Sequence, residues 1–197
     1  FKTRETCKKY CEKRTNEKMY GTIIDIESIG EFCQGVGVDR YVKIKPIVVG
    51  FFYEDEIEVL YITGETEKDF NGLRAAIRTK LDEVKRPFYA FNSQFEMCVL
   101  HWFLSEAVIF DRDLMLRVAT PYGERVWEAK RIVVKDLGIP NFDDPFWDEG
   151  HMVIEAWKNY QRTGDYEYLR RIIRHNRACL LKEYYILKKR EKWREVN

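Results

Sequence analysis

Apolar positions follow two different periods along the chain, and the change of period separates a strand-rich first part from a helical second part. Apolar, β-branched and aromatic residues dominate positions 20–26, 41–53 and 57–63. This pattern predicts three strands, the last two joined as a hairpin by the acidic turn at residues 54–56. We expect these consecutive strands to be neighbours in one sheet.

Helical spacing begins after residue 69, interrupted by two short apolar strands at residues 88–91 and 108–116. The predicted helices cover residues 69–84, 93–104, 127–137, 150–163 and 166–193. Residues 1–18 are polar, and we expect a helix or a loose lead-in there. Residues 19–197 then form a single domain of mixed α/β class, with a central sheet flanked by helices.

Composition and charge exclude several classes of protein. The 197 residues carry a formal charge of +1, so a nucleic-acid surface must be a local patch. A hydrophobic content of 45% excludes intrinsic disorder. The longest apolar runs, residues 47–53 and 97–104, are far too short for a membrane span, so we expect no membrane partner. Charged residues make up 34% of the chain and favour a thermophilic source.

Five scattered cysteines do not resemble a disulfide framework. Together with a polar start that lacks a signal-peptide pattern, they predict a reducing, cytoplasmic location. Cys7, Cys11 and Cys33 could supply three thiolates to zinc or an iron–sulfur cluster, but no clear fourth ligand accompanies them. The alternative is that they are ordinary structural cysteines.

Two carboxylates follow the apolar run of the first predicted strand. Side chains alternate along a strand, so Asp25 and Glu27 should leave the same face, opposite to Ile24 and Ile26. A divalent cation between the two carboxylates would remove their repulsion, and oxygen ligands suit Mg²⁺ or Mn²⁺. A solvated strand end is the alternative interpretation.

A third carboxylate, Glu96, lies in the first turn of the helix predicted from Ser93. The spacing Ser93-x-x-Glu96 fits a capping box, in which Glu96 only secures the start of the helix. In the functional interpretation, the same carboxylate reaches a metal at the end of the sheet.

The last predicted helix carries a stripe of possible ligands. His175, Cys179 and Glu183 follow one another at four-residue spacing, so they share one helix face. A basic group lies around this stripe: Arg170, Arg171, Arg174 and Arg177. Such a face is either a solvated surface or a set of phosphate contacts.

In their order and spacing, these motifs resemble DEDD-type 3′–5′ exonucleases. Residues 22–27 look like the first motif of that family, and residues 89–96 look like its second motif, Asn-x-x-Phe-Asp, with Glu96 for the Asp. Residues 110–115 resemble the strand that follows. Residues 150–179 are similar to the branch whose last motif reads Tyr-Asn-x-x-Asp. The resemblance extends over residues 20–190.

The resemblance implies a ribonuclease-H-like fold with a mixed central sheet of three N-terminal strands, followed by alternating helices and short strands. It also implies two divalent ions, Mg²⁺ or Mn²⁺, held by four carboxylates for phosphodiester hydrolysis. Asp25 would bridge both ions, Glu27 would hold one and Glu96 would support the second. His175 takes the place of a Tyr that orients the attacking water, and as a His it can act as a general base.

Cys179 takes the place of the family's last Asp. A thiol is a poor ligand for Mg²⁺, so this departure weakens one of the two metal sites. Three outcomes are open: Mn²⁺ or Zn²⁺ accepts the thiolate, Glu183 one turn later fills the gap, or the chain is inactive and keeps the fold for binding.

The sequence therefore predicts a metal-dependent 3′–5′ exonuclease that acts on single-stranded nucleic-acid ends. Base stacking and phosphate binding would come from residues near the motifs: Asn92, Phe95, Trp102, Tyr122, Arg171, Arg174 and Arg177. The alternatives are a degenerate nucleic-acid-binding or assembly module and a protein-interaction domain. The choice between DNA and RNA, the choice between exonuclease and endonuclease, and the oligomeric state stay open.

Overall fold

A mixed six-stranded sheet forms the centre of the protein. The structure is a computed structural model that describes residues 6–196, with side chains described for residues 6–191. The strands of this sheet are β1 (Lys8–Lys13), β2 (Met19–Ile29), β3 (Lys45–Glu54), β4 (Glu56–Tyr61), β5 (Phe88–Ala90) and β6 (Arg112–Asp113). Their order in the sheet is β1-β4-β3-β2-β5-β6. The pairs β1–β4, β4–β3 and β3–β2 are antiparallel, whereas β2–β5 and β5–β6 are parallel.

Helices cover both faces of this sheet. They are α1 (Glu67–Glu83), α2 (Ser93–Leu104), α3 (Lys130–Asp136), α4 (His151–Thr163) and α5 (Tyr166–Val196). The rings of Phe52 on β3 and Tyr184 on α5 lie 5.0 Å apart, which places α5 on one face. An ion pair of 3.2 Å between Lys80 on α1 and Glu58 on β4 places α1 on the other face.

The buried core follows from the strand pattern. Apolar residues on both faces of β2 and β3 are fully buried: Ile23, Ile24, Val48, Val49, Phe51 and Phe52. Strands covered by helices on both sides are nearly continuous in apolar residues, as these two are. The few charged side chains on β2 are therefore exceptional among these buried apolar residues.

Helix α5 approaches the sheet closely at Gly50 on β3. A Cβ atom at Gly50 would overlap the side-chain amide of Asn176 and would lie 2.7 Å from Cδ1 of Leu180. The absence of a side chain at this position lets α5 lie directly against the middle of the sheet. Asn176 can reach β2 for this reason.

Several sequence predictions are confirmed. The strand at residues 20–26, the hairpin at residues 41–63 and the helices at 69–84, 93–104, 150–163 and 166–193 all correspond to observed elements, with shifted ends. The hairpin strand begins only at Lys45, because Gly37–Tyr41 form a 3-10 helix. The α/β class and the mixed sheet are as expected.

Other predictions are wrong. The lead-in is not a helix: Lys8–Lys13 form β1, because the free edge of β4 offers it backbone hydrogen bonds that no local pattern reveals. Residues 1–5 of that prediction lie outside the described residues. The strand predicted at 108–116 shrinks to the two residues of β6.

The helix predicted over 127–137 begins only at Lys130. Residues 117–127 instead form an unexpected small hairpin of β7 (Arg117–Ala119) and β8 (Arg125–Trp127). Its turn contains Gly123 with a φ of +83°, a conformation that favours glycine. All residues of β7 and β8 are exposed, so neither strand shows the alternation of apolar and polar residues from which a strand is predicted.

No helix within residues 6–196 combines the length and the apolar character needed to cross a bilayer.

Candidate metal centre

The first two carboxylates lie on the face of β2 that is covered by α5. Asp25 pairs with Gly50 and Glu27 pairs with Val48, so both side chains share the face of Ile23, as alternation predicts. They are only 5% and 8% exposed. The alternative of a solvated strand end is therefore wrong for this chain.

Asn176 on α5 fixes the position of Asp25. Its side-chain Nδ2 donates to the backbone oxygen of Asp25 at 3.0 Å and to the carboxylate Oδ2 at 2.8 Å. Asn176 is not among the site residues predicted from the sequence. The signal was present, however, because Asn is part of the Tyr-Asn-x-x-Asp motif.

Glu96 is not a capping residue. Helix α2 begins after Asn92, and the carboxylate of Asp113 accepts hydrogen bonds from the backbone N–H groups of Asn92 and Ser93 and from Ser93 Oγ. Glu96 is buried, and its Oε2 has no hydrogen-bond partner within the described part of the chain. Burial raises the pKa of Glu96 well above its usual range, and the nearby carboxylates of Asp25 and Glu183 raise it further.

His175 connects Glu27 and Cys179 to a buried aspartate. Its Nδ1 lies 2.7 Å from Oδ1 of Asp144, whereas its Nε2 lies 3.7 Å from Oε1 of Glu27 and 3.8 Å from Sγ of Cys179. Burial lowers the pKa of His175, but the charges of Cys179 and Glu27 and the hydrogen bond to Asp144 together raise it well above its usual value. The imidazole is therefore held in one orientation from both sides.

Asp144 is itself held firmly in place. Its Oδ2 lies 2.6 Å from the ammonium nitrogen of Lys182, and its carboxylate accepts hydrogen bonds from the backbone N–H groups of Phe146 and Asp148. Although burial opposes ionisation, the bonds to His175 and Lys182 hold the pKa of Asp144 well below its usual range. Asp144 is not among the predicted site residues, because it lies in an irregular loop without a recognisable motif.

Glu27, His175 and Cys179 form a compact group of potential ligands. One ligand atom from each lies within 4.8 Å of the others, and all three residues are buried. In the part of the chain that the structure describes, no other three His, Cys, Asp or Glu residues meet so closely. Cys7, Cys11 and Cys33, which the sequence offered as possible thiolate ligands, do not form such a group among the described residues. Burial raises the pKa of the Cys179 thiol to about 11 and contributes most to raising that of Glu27 to about 7.

Lys130 supplies a cation to the other half of the site. Its Nζ lies 2.5 Å from Oε1 of Glu183 and 3.3 Å from Oδ1 of Asp25. The second carboxylate oxygen of Glu183 accepts the backbone N–H of Phe91 at 3.2 Å. Burial raises the pKa of Glu183. Burial alone would lower the pKa of Lys130, but the neighbouring charges of Asp25, Cys179 and Glu183 raise it well above its usual range.

The donor groups thus divide the site into two halves with different chemistry. Glu27, His175 and Cys179 offer one oxygen, one nitrogen and one sulfur, a set that suits a borderline divalent ion better than Mg²⁺. Between Asp25 and Glu183, the ammonium of Lys130 offsets part of the charge of the two carboxylates. A cation of the chain itself thus lies beside Asp25, where the resemblance implies a second metal ion.

The residues predicted to bind nucleic acid are dispersed. Arg177 forms an ion pair with Glu12 and is not free for a phosphate. Phe95 packs edge-on against Tyr41, with ring centroids 5.9 Å apart. The guanidinium of Arg171 lies 5.0 Å from the ring centroid of Phe146.

Of Arg171, Arg174 and Arg177, only Arg174 is exposed, and it lines a groove with Arg170, Lys9 and Tyr10. Asn92 precedes α2 with a left-handed φ of 73°. Trp102 donates a hydrogen bond of 2.8 Å to the backbone oxygen of Val38, whereas Tyr122 is 92% exposed in the β7–β8 turn.

Comparison of the chain with protein-family models, with curated proteins and with solved structures finds no significant match.

Proposed function

We propose that this protein is a metal-dependent phosphodiester hydrolase of the 3′–5′ exonuclease type that acts on single-stranded nucleic-acid ends. The observation that carries this proposal is that Asp25, Glu27 and Glu96 are all buried and lie near enough for Asp25 and Glu27 to raise the pKa of Glu96. The first two are buried on β2, and the third reaches the same region from α2. Buried carboxylates at such proximity are costly unless cations compensate them, and functional sites are where such cost is tolerated.

The sheet supports a ribonuclease-H-like fold as part of the proposal. Three consecutive antiparallel strands, β2 to β4, are followed by the short strands β5 and β6, which continue the sheet in parallel from β2. This is the mixed sheet that the resemblance implies. The additional strand β1 extends the sheet beyond β4.

The residues of the site would divide the work between them. Glu27, His175 and Cys179 would hold one ion, which supplies Lewis-acid activation of water and of the phosphodiester when bound. Asn176 keeps the Asp25 carboxylate in place. Lys130 offsets the negative charge of Asp25 and Glu183, which lowers the electrostatic cost of bringing an anionic substrate to this site.

A groove beside α5 offers a path for a nucleic-acid strand. Its lining contains the cationic and aromatic side chains of Lys9, Tyr10, Tyr61, Phe142, Arg170, Arg174 and Arg177, together with the acidic Glu12 and Asp143. Arg174 is exposed, whereas the next residue of α5, His175, is buried on a different face of the helix. Cationic grooves with aromatic rings are typical of proteins that bind single strands without sequence preference.

A second candidate function is a degenerate nucleic-acid-binding module. It is favoured by Lys130, whose ammonium bridges Asp25 and Glu183 where a second divalent ion is expected. Because the chain itself supplies this cation, the burial of Asp25 and Glu183 does not require a bound metal ion.

The test is the release of nucleotides from 3′-labelled single-stranded DNA and RNA in Mg²⁺, Mn²⁺ or Zn²⁺. We expect release in Mn²⁺ or Zn²⁺, and a loss of roughly 100-fold or more in Asp25→Asn. Asp136→Asn, at an exposed position on α3, is the matched control and should retain activity. Salt-sensitive binding without release, unaffected by a chelator, would identify the degenerate module. Neither release nor binding would overturn both functions.

A further inference from the structure

We propose that Glu27, His175 and Cys179 form a selective site for a single zinc ion, with Asp144 as the residue that orients the histidine. The inference rests on the proposed function in placing this ion at the catalytic centre. It names an ion that differs from the Mg²⁺ or Mn²⁺ pair that the resemblance implies. Its geometry and its test are independent of nuclease activity.

The distances between the ligand atoms are close to those of a zinc site. Bonds of about 2.0–2.1 Å to nitrogen and oxygen and about 2.3 Å to sulfur separate tetrahedral ligand atoms by roughly 3.3–3.7 Å. The observed separations from His175 Nε2 are 3.7 Å to Oε1 of Glu27 and 3.8 Å to Sγ of Cys179. The third separation, between the Glu27 carboxylate and Sγ of Cys179, is within 4.8 Å, so rotation about side-chain torsions must bring these two atoms closer by up to about 1 Å.

The surroundings of His175 are those of a metal-binding histidine. Metal-bound imidazoles commonly donate their second ring N–H to a carboxylate, which fixes the ring and leaves the other nitrogen for the metal. Asp144 accepts from Nδ1 at 2.7 Å, and Lys182 holds Asp144 at 2.6 Å. Both partners are buried, so this support does not depend on a flexible surface chain.

Charge and donor type select the ion. An imidazole and a thiolate prefer zinc to magnesium, which takes oxygen ligands. Glu27 and ionised Cys179 bring two negative charges to the ligand group, which match one divalent ion, while Lys130 offsets part of the charge of Asp25 and Glu183 beside it. Three protein ligands leave the fourth position open, as in catalytic rather than structural zinc sites.

The test uses the full, metal-free protein titrated with Co²⁺ as a spectroscopic probe for zinc. We expect one equivalent to produce a thiolate-to-cobalt absorption band, which Zn²⁺ abolishes by displacement and excess Mg²⁺ does not. Cys179→Ser should remove the band, whereas Cys98→Ser, at a buried cysteine of α2, should leave it unchanged. A band that survives in Cys179→Ser, or no band in the folded wild-type protein, would overturn the proposal.

Asp144→Asn provides a second variant in case Cys179→Ser does not fold. It keeps all three ligands but weakens the orientation of His175, so Co²⁺ affinity should fall roughly 10- to 100-fold while the band itself persists at saturation. An unchanged affinity in the folded variant would contradict the role given to Asp144. Cobalt binding without nucleotide release overturns only the proposed function, and Mn²⁺-dependent release without cobalt binding overturns only the zinc site.

Discussion

Lys130 and Glu183 form an ion pair of 2.5 Å between α3 and α5, with Glu183 fully buried and the Lys130 side chain 17% exposed, although 53 residues separate them in the chain. The same ammonium reaches Asp25 on β2. One side chain therefore connects three elements at the centre of the candidate site. Its positive charge makes the close approach of the carboxylates tolerable in a low-dielectric environment.

Lys130→Met should destabilise the metal-free protein. The substitution keeps an unbranched side chain that is one atom shorter but leaves Asp25 and Glu183 without their cation, and removing one partner of a largely buried pair costs about 3 kcal/mol or more. Chemical denaturation in the presence of a chelator measures the loss. Lys135→Met, at an exposed position on the same helix, is the control and should change the free energy of unfolding by less than about 0.5 kcal/mol. Equal effects of the two substitutions would contradict the role of Lys130.

Cys179→Asp should shift the metal preference towards Mg²⁺. A carboxylate replaces the sulfur and gives the site a hard oxygen donor where the resemblance implies an Asp. We expect nucleotide release in Mg²⁺ to rise by about tenfold or more relative to the wild-type protein. The measurement is the rate of release from a 3′-labelled oligonucleotide at matched Mg²⁺ concentrations, with Asp25→Asn in the same background as a control. A folded Cys179→Asp variant without any gain in Mg²⁺ would count against the assigned position of the fourth ligand.

Gly50→Ala should disturb both stability and the site. The added Cβ would overlap the amide of Asn176 and crowd Leu180, so α5 must move away from the sheet. We expect a loss of about 2 kcal/mol or more in the free energy of unfolding, together with weaker Co²⁺ binding. Gly150→Ala is the matched control: its Cβ would meet no atom within 4 Å, and the backbone is already helical with a φ of −55°. Similar stability of the two variants would show that the close approach of α5 is not required.

Glu12 should contribute to stability in a pH-dependent manner. The hydrogen bond from Arg177 is the main cause that lowers the pKa of Glu12 to about 2. Since the folded value lies below the unfolded one, the stabilisation is fully present above about pH 4.5 and is lost as the pH falls towards 2.

Chemical denaturation of the wild-type protein and of Glu12→Gln between pH 7 and pH 2 measures this contribution. This pH range covers the titration of ordinary carboxyl groups. The difference in the free energy of unfolding should be largest near neutral pH and should vanish at the acidic end. Glu124→Gln, at an exposed position in the β7–β8 turn, should show no such trend. A constant difference for Glu12→Gln would contradict the ion pair with Arg177.

Strand alternation and helical spacing in the sequence are sufficient to predict much of this architecture. The alternation on β2 correctly placed Asp25 and Glu27 on one face of that strand. The four-residue spacing on α5 correctly placed His175, Cys179 and Glu183 on one buried face of that helix. These residues lie on long elements with strong periodicity, where the position of one side chain determines that of the next.

The remaining site residues could not be predicted in this way. Lys130 begins a short helix after an irregular segment, and Asp144 lies in a loop, so no period relates them to the ligands they support. Glu96 was ambiguous because a capping box and a buried ligand share the same local spacing, and only the position of Asp113 at the start of α2 distinguishes them. Tertiary contacts decided all three cases.

The most direct test of the account is anomalous diffraction from crystals grown with Zn²⁺, with a second crystal grown in Mn²⁺ for comparison. We expect one zinc peak within bonding distance of Glu27, His175 and Cys179, and the ammonium of Lys130 still between Asp25 and Glu183. The absence of a peak at these ligands, or two ions on either side of Asp25 with Lys130 displaced, would contradict it.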